Sequence, residues 1–243
     1  MAHTIELYSC RVTATDLPRL ETRYLPCLHT EEQARYRRFT SARRGLEWLA
    51  GRALALEALP LVLGQVNEPA LRTGSSGNIV YQDAPVELSL SHSRGLFAMT
   101  IATVPTGVDV ERVCMRSVVA YARQVFTSTE AAHIEQVAMS ERPRVFCRYW
   151  TLKEAVCKAA GLSIWEGLAA AQFSLQSAPA FTGTVEPLAG PWRFWFAGIK
   201  PHWQLAVVVH AALPAGAFTA WRIALPGSRE HLELDALSSF ASG

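Results

Sequence analysis

The spacing of apolar and polar residues changes period several times along this chain, and each change predicts an element. Ile5 to Val12 alternates and predicts a first strand. Thr30-Glu31-Glu32-Gln33 has capping-box spacing and predicts a basic helix through Phe39. From Arg43 to about Leu63 the positions Leu46, Leu49, Ala50, Ala53, Leu54 and Leu56 recur at the helical period, with Pro60 weakening the last turn. Gly64 to Gly77, containing Gly74-Ser75-Ser76-Gly77, reads as loop. Strands then come quickly at Ile79 to Tyr81, Val86 to Leu90, Leu96 to Thr103 and Gly107 to Val110. Helix resumes at Val118 to Gln124. Thr127-Ser128-Thr129-Glu130 is a second capping box opening a helix to Met139, and Arg144 to Ala160 is a long helix stopped by Gly161. Ala171 to Leu175, Phe194 to Phe196, Gln204 to His210 and Phe218 to Leu225 read as strands, before Pro226-Gly227 and a polar tail.

Helices followed by strands occur in both halves, with a division near Pro105-Thr106. This predicts an α+β protein of two similar lobes, 1–106 and 107–226, with a tail over 227–243. A cleft between such lobes is a favoured ligand site. Half of the 243 residues are hydrophobic and 18% are charged, which excludes disorder. Twenty-three Lys+Arg against 21 Asp+Glu leave a net charge of +2, too balanced for nucleic-acid binding by bulk charge. The cations are unevenly placed: Arg35, Arg37, Arg38, Arg43, Arg44 and Arg52 crowd one N-terminal stretch and suggest a local anion site. Five cysteines (Cys10, Cys27, Cys114, Cys147 and Cys157) with no CxxC pattern argue against a disulfide framework or zinc site and for a reducing cytoplasm. Met1 to Cys10 shows no signal-peptide pattern, and the apolar run Leu205 to Val209 is too short to span a bilayer.

Two segments carry the chemistry. In Gly107-Val108-Asp109-Val110-Glu111 the two acids are two apart, so on a strand they share one face while Val108 and Val110 face the core. Two adjacent carboxylates repel, and oxygen ligands of this kind suit Mg²⁺; a solvated strand end paired with Arg112 is the plainer alternative. In Trp150-Thr151-Leu152-Lys153-Glu154-Ala155-Val156-Cys157-Lys158, Glu154 and Lys158 share a helix face. An exposed pair of that spacing stabilises by only about 0.3–0.5 kcal/mol. The apolar setting of Tyr149, Trp150, Leu152, Ala155, Val156 and Ala159 instead points these charges at a cleft or ligand. Lys153, turned about 100° from Glu154, is expected to reach another part of the same anion. Leu88-Ser89-Leu90-Ser91-His92-Ser93 reads as a strand entering a polar turn, where His92 donates to a phosphate or Ser91 and Ser93 cap the turn. Cys157 reads as a buried helix residue.

Taken in order, Gly-Val-Asp-Val-Glu, Trp-x-x-Lys-Glu-Ala-x-x-Lys about forty residues on, Leu-Ser-His-Ser upstream and Arg-Arg-Phe with the Arg43 helix resemble the Sfp-type 4'-phosphopantetheinyl transferases over roughly residues 30 to 161. The resemblance implies a pseudo-twofold α+β fold, usually monomeric, whose two lobes each pack helices on a small antiparallel-rich sheet, with coenzyme A bound between them. It implies transfer of phosphopantetheine from coenzyme A to a serine of an apo acyl or peptidyl carrier protein, releasing 3',5'-ADP. Carried onto matching positions, Asp109, Glu111 and Glu154 are metal ligands for Mg²⁺, Glu154 is also the base for the serine hydroxyl, and Lys158 neutralises the diphosphate. Arg35, Arg43, Arg44, Ser91, His92 and Lys153 are cofactor contacts. Glu130 matches a family acid but also fits its capping box. The carrier is expected on the helix after Thr127 and on Val113 to Val119, with Val118, Val119 and Phe126 as patch or core. The chain departs from the pattern in two places: Gly77-Asn78-Ile79 stands where many members carry Gly-Lys-Pro, and Glu32 is acidic where a basic residue is expected.

Overall fold

The computed structural model describes residues 5–67, 70–113, 117–176, 178–183, 185, 190–214 and 216–242. In chain order its first elements are β1 (Ile5–Arg11), α1 (Leu17–Tyr24), α2 (Thr30–Tyr36), α3 (Ala42–Leu63), β2 (Leu71–Thr73), β3 (Ile79–Tyr81), β4 (Glu87–Ser93) and β5 (Leu96–Ala102). Then come β6 (Thr106–Arg112), α4 (Val119–Val125), α5 (Ser128–Gln136), α6 (Arg142–Ala160) and α7 (Ile164–Ala170). The rest are β7 (Phe173–Ser174), β8 (Ala180–Phe181), β9 (Arg193–Ile199), β10 (Trp203–Val209), β11 (Phe218–Ile223), β12 (Arg229–His231) and β13 (Asp235–Ala241). The fold is α+β with mainly antiparallel sheets. Two compact units divide it: Met1–Thr103 with Phe218–Leu232, and Val104–Ala217 with Glu233–Gly243.

The first unit is built on a sheet of order β12-β11-β1-β5-β4, in which β1 and β11 run parallel. Tyr8, Cys10, Phe97 and Met99 form one face of it and pack with Leu49, Ala50, Ala53 and Leu54 of α3. Burying each large apolar side chain stabilises by about 1.5–3 kcal/mol. Small residues let the helix lie close: a Cβ on Gly51 would come within 2.6 Å of Leu90 Cδ2. The β4–β5 hairpin turns on Arg94 (φ 49°) and Gly95 (φ 82°), the left-handed pair of a tight two-residue turn. This turn corrects the expectation for Ser91, His92 and Ser93, which lie in the strand and not beyond it.

The capping box at Thr30 does not form. His29 caps α2 by accepting from the Glu31 amide, and Glu32 turns inward. There Glu32 meets the buried guanidinium of Arg52 at 3.4 Å and accepts from the Thr73 hydroxyl at 2.9 Å, while Arg52 lies 3.9 Å over the Trp48 ring. Burying either charge alone is costly, so each makes the other tolerable. The acid that departs from the family pattern is thus a structural partner of Arg52.

The second unit carries an antiparallel sheet of order β13-β9-β10-β6. Leu152, Ala155 and Val156 of α6 pack over Ala206 and Val208 of β10 and over Phe194 and Phe196 of β9. The helix is buried nearly all round, since α7 covers another side: a Cβ on Gly167 would strike Cys157 Sγ at 1.9 Å. Gly161, at φ 67°, ends α6 as expected. The Thr127 capping box is formed. The helix α7 escaped the sequence reading, although Ser163 and Glu166 give it a capping box too.

The boundaries drawn from sequence also shift. Phe218–Ile223 pairs with β1 and belongs to the first unit, and the polar tail supplies β12 and β13. The residues of β13 are largely exposed on one side, so their composition hides the strand. Among the described residues no disulfide joins Cys10, Cys27, Cys147 and Cys157, and Cys114 lies outside them.

Candidate active site

Strand β6 and helix α6 bring the two chemistry-bearing segments together. Gly107, Asp109 and Glu111 alternate onto the face beneath α6, while Val108 and Val110 are fully buried on the opposite face. Val108 and Val110 face the core as the alternation predicts, and the acid-bearing face lies under α6. Gly107 permits the contact: a Cβ there would lie 1.8 Å from the Ala155 carbonyl oxygen and 2.9 Å from the Ala159 nitrogen. Backbone thus packs on backbone, and the next residues on that face, Asp109 and Glu111, come up against Glu154 and Lys158.

Asp109 is 3% exposed and is not the solvated strand end of the plainer alternative. The Lys158 ammonium donates to Asp109 Oδ1 at 2.7 Å and to the Val108 carbonyl at 3.0 Å, and stands 3.8 Å from Glu154 Oε2. One ammonium therefore bridges strand and helix. Burial first, and then repulsion from Asp109, push the Glu154 carboxyl up to about 7, with Lys158 opposing and Glu111 adding a smaller push. That value suits a group that must hold and release a proton near neutral pH. Burial, followed by the Glu154 charge, pushes the Cys157 thiol up to about 11, as befits an inert packing residue.

These carboxylates fit a divalent cation. The geometric sign is the Lys158 ammonium itself, a single positive centre within ion-pair range of both Asp109 and Glu154. The donors are hard oxygens, with Glu111 close enough to act on Glu154. Among the described residues no three acidic, histidine or cysteine side chains stand together as a group that could hold a metal ion by itself. The protein thus offers a partial donor set of the kind Mg²⁺ completes with water and phosphate oxygens. Beside Glu111 a cavity of about 170 Å³ is lined by Arg112, Val118, Tyr121, Phe146 and Trp150.

Lys153 is not with them. Its side chain is fully buried, 3.0 Å from Glu130 Oε2, and its ammonium also donates to the Leu168 carbonyl, at 3.1 Å, and to the Ala171 carbonyl. Glu130 accepts in turn from the Thr127 and Phe173 amides. The expected cofactor contact is therefore a structural ion pair at the C-terminal end of α7, where partly negative carbonyls favour a cation. Glu130 is both cap and counter-ion.

Ser91 and His92 point to opposite faces of β4. Ser91 is buried, whereas His92 is exposed with its ring stacked 5.1 Å from Phe97. Arg35, Arg43 and Arg44 are exposed, Arg43 paired with Glu47 at 2.9 Å. Val118 and Val119 pack against the second unit's core and Phe126 sits within it, against Phe146 and Tyr149; residues 114–116 lie outside the described set. Two contributors went unread in the sequence: the Val108 carbonyl, and Gly107 as the point of closest approach.

Residues 105–208 match the 4'-phosphopantetheinyl transferase superfamily. The chain is 34% identical over 129 residues to the 4'-phosphopantetheinyl transferase AcpT of Salmonella typhimurium, covering 51% of this chain and 62% of that protein. It is 32% identical over 125 residues to AcpT of Escherichia coli K12, covering 49% and 60%. To the 4'-phosphopantetheinyl transferase gsp of Aneurinibacillus migulanus it is 26% identical over 135 residues, covering 56% of each. The chain thus spans less than two thirds of the length of these curated relatives. The part of it that matches the 4'-phosphopantetheinyl transferase superfamily is the part that holds Asp109, Glu111, Glu154 and Lys158.

Proposed function

We propose that the chain is an Sfp-type 4'-phosphopantetheinyl transferase, moving phosphopantetheine from coenzyme A to a serine hydroxyl of an apo acyl or peptidyl carrier protein and releasing 3',5'-ADP. The observation that carries this reading is the bonded cluster of Asp109, Lys158 and Glu154 inside the matched segment. Asp109 and Glu154, with Glu111, are the residues to hold Mg²⁺. When bound, the ion polarises the diphosphate and offsets charge on the leaving phosphate. Glu154 is the base that takes the proton from the serine hydroxyl. Lys158 faces the diphosphate and balances the charge left on 3',5'-ADP. The apolar cavity beside Glu111 suits the pantetheine arm.

Arg35, Arg43 and Arg44 are phosphate-binding candidates, since exposed guanidinium groups recognise phosphate by paired hydrogen bonds, and the exposed His92 imidazole can donate a ring N–H to one. Lys153 and Ser91, being buried, are withdrawn from that role. The resemblance supports a monomer, the cysteine pattern a reducing cytoplasm, and the near-neutral charge the absence of a nucleic-acid partner. Among the described residues no helix is long and apolar enough to cross a membrane. The test is intact-mass measurement of apo carrier proteins incubated with the chain, coenzyme A and Mg²⁺. A gain of one phosphopantetheine mass is expected, and its absence across acyl and peptidyl carriers sinks the reading.

A further inference from the structure

Lys158 is bonded as though it were the metal. Its nitrogen lies 2.7 Å from Asp109 Oδ1 and 3.8 Å from Glu154 Oε2, with the Val108 carbonyl as third partner at 3.0 Å. Asp109 is 3% exposed, so its charge needs a cation at all times and not only during turnover. An Mg²⁺ held by the same carboxylates at about 2.1 Å would compete for the same space. Two cations so close repel, so ammonium and metal cannot both be bound tightly to the Asp109–Glu154 pair.

Lys158 is also placed to leave. It stands in the last turn of α6, its side chain is 29% exposed, and its long arm can follow an anion outward. Lys153, five residues earlier on the same helix, is fully buried and held by two carbonyls and Glu130. Only one lysine of the motif is therefore exchangeable.

We propose that Lys158 is a resident cation of the acid pair, released by an arriving diphosphate, so that metal and diphosphate binding are coupled through this one side chain. The proposal rests on the transferase reading for the identity of the diphosphate. Without a diphosphate, Lys158 occupies the pair and the metal binds weakly. With one, the ammonium transfers its hydrogen bonds to phosphate oxygens and the carboxylates become available to the metal. No covalent bond changes in this exchange. The acid pair is thereby kept from holding a metal before the substrate arrives.

The experiment is Mn²⁺ titration of the metal-free full chain, followed by the electron paramagnetic resonance signal of the free ion, with inorganic pyrophosphate as the probe anion. Wild-type protein is expected to bind Mn²⁺ weakly alone and at least about tenfold more tightly with pyrophosphate, beyond the protein-free control. Lys158→Gln is expected to bind it at least about tenfold more tightly than wild type without pyrophosphate, and Lys158→Arg to stay weak because the charge is kept. Adding Asp109→Asn to Lys158→Gln should return binding to the weak level. A folded Lys158→Gln protein that binds Mn²⁺ no better than wild type overturns the proposal. A second measurement needs no variant: with lysine ammonium groups nitrogen-labelled, the Lys158 resonance should shift when pyrophosphate is added without metal, and an unmoved resonance at saturation also overturns it. Failure of the transferase reading shows separately, as no mass gain on any apo carrier while the Mn²⁺ titrations stand.

Discussion

Replacing Gly107 by Ala places one methyl group where none fits. The new Cβ would lie 1.8 Å from the Ala155 carbonyl oxygen and 2.8 Å from its carbon, both backbone atoms of α6 that no rotamer change can move. Reaching even 3.0 Å, which real Cβ atoms rarely undercut, requires strand and helix to part by about 1.2 Å. Overpacking of a well-filled core costs about 1–3 kcal/mol, and a clash of backbone with no soft partner belongs at the upper end. For a protein of this size about 2–3 kcal/mol corresponds to a melting temperature lower by roughly 5–10 °C. The same opening would shift Asp109 and the Val108 carbonyl relative to α6, and the Lys158 contacts of 2.7 and 3.0 Å would have to re-form through its flexible arm. Displacement of catalytic groups by about 1 Å can cost about a hundredfold in rate. The assay is thermal unfolding by circular dichroism alongside the rate of carrier mass gain. A Gly107→Ala protein that melts within a degree of wild type and transfers at the wild-type rate would refute the claim that this contact sets the helix–strand distance.

The buried pair offers a second check. Lys153→Met should lower unfolding free energy by about 3–5 kcal/mol, because it strands a Glu130 charge with 1% exposure, and adding Glu130→Gln should recover part of the loss. Urea denaturation measures both, and an unaffected single variant would remove the pair from the list of stabilising contacts. In metal-free protein the raised Glu154 carboxyl contributes stability that is complete below its ordinary value of 4.5 and is lost as pH rises through about 7. Glu154→Gln should flatten stability over that window, and an unchanged pH profile would contradict the cause given for the shift. The same variant should keep its fold while losing carrier modification; near-normal turnover would assign the base elsewhere.

The residues that were legible in sequence are those whose partners are local or whose spacing is itself the message. Asp109 and Glu111 share a face because strands alternate, Glu154 and Lys158 because helices return every four residues, and Gly161 ends α6 because it accepts a left-handed turn. Lys153 was illegible because its partners come from α5 and from carbonyls 15 and 18 residues downstream. Arg52 read as part of an anion site, yet its counter-ion Glu32 stands twenty residues earlier on another helix. His92 and Ser91 read as a turn, and only the left-handed pair at Arg94 and Gly95 shows that the strand runs on past them. Strands β11 and β13 could be suspected as strands or passed over as tail, but no local pattern says which sheet each one joins.

That last assignment bears on synthesis. Strand β1 pairs with β11, and the Ser9 hydroxyl bonds the Trp221 carbonyl 212 residues away. At bacterial or eukaryotic translation speeds β1 therefore waits roughly 10–40 s for its neighbour. Meanwhile β5 can cover one side of β1, while the other edge stays open to any passing strand. The second unit's sheet waits in the same way for β13 to reach β9. A ribosome that stalls after Ala217 leaves the first sheet without β11 and β12 and the second without β13, and such a nascent chain is a substrate for chaperones or for aggregation.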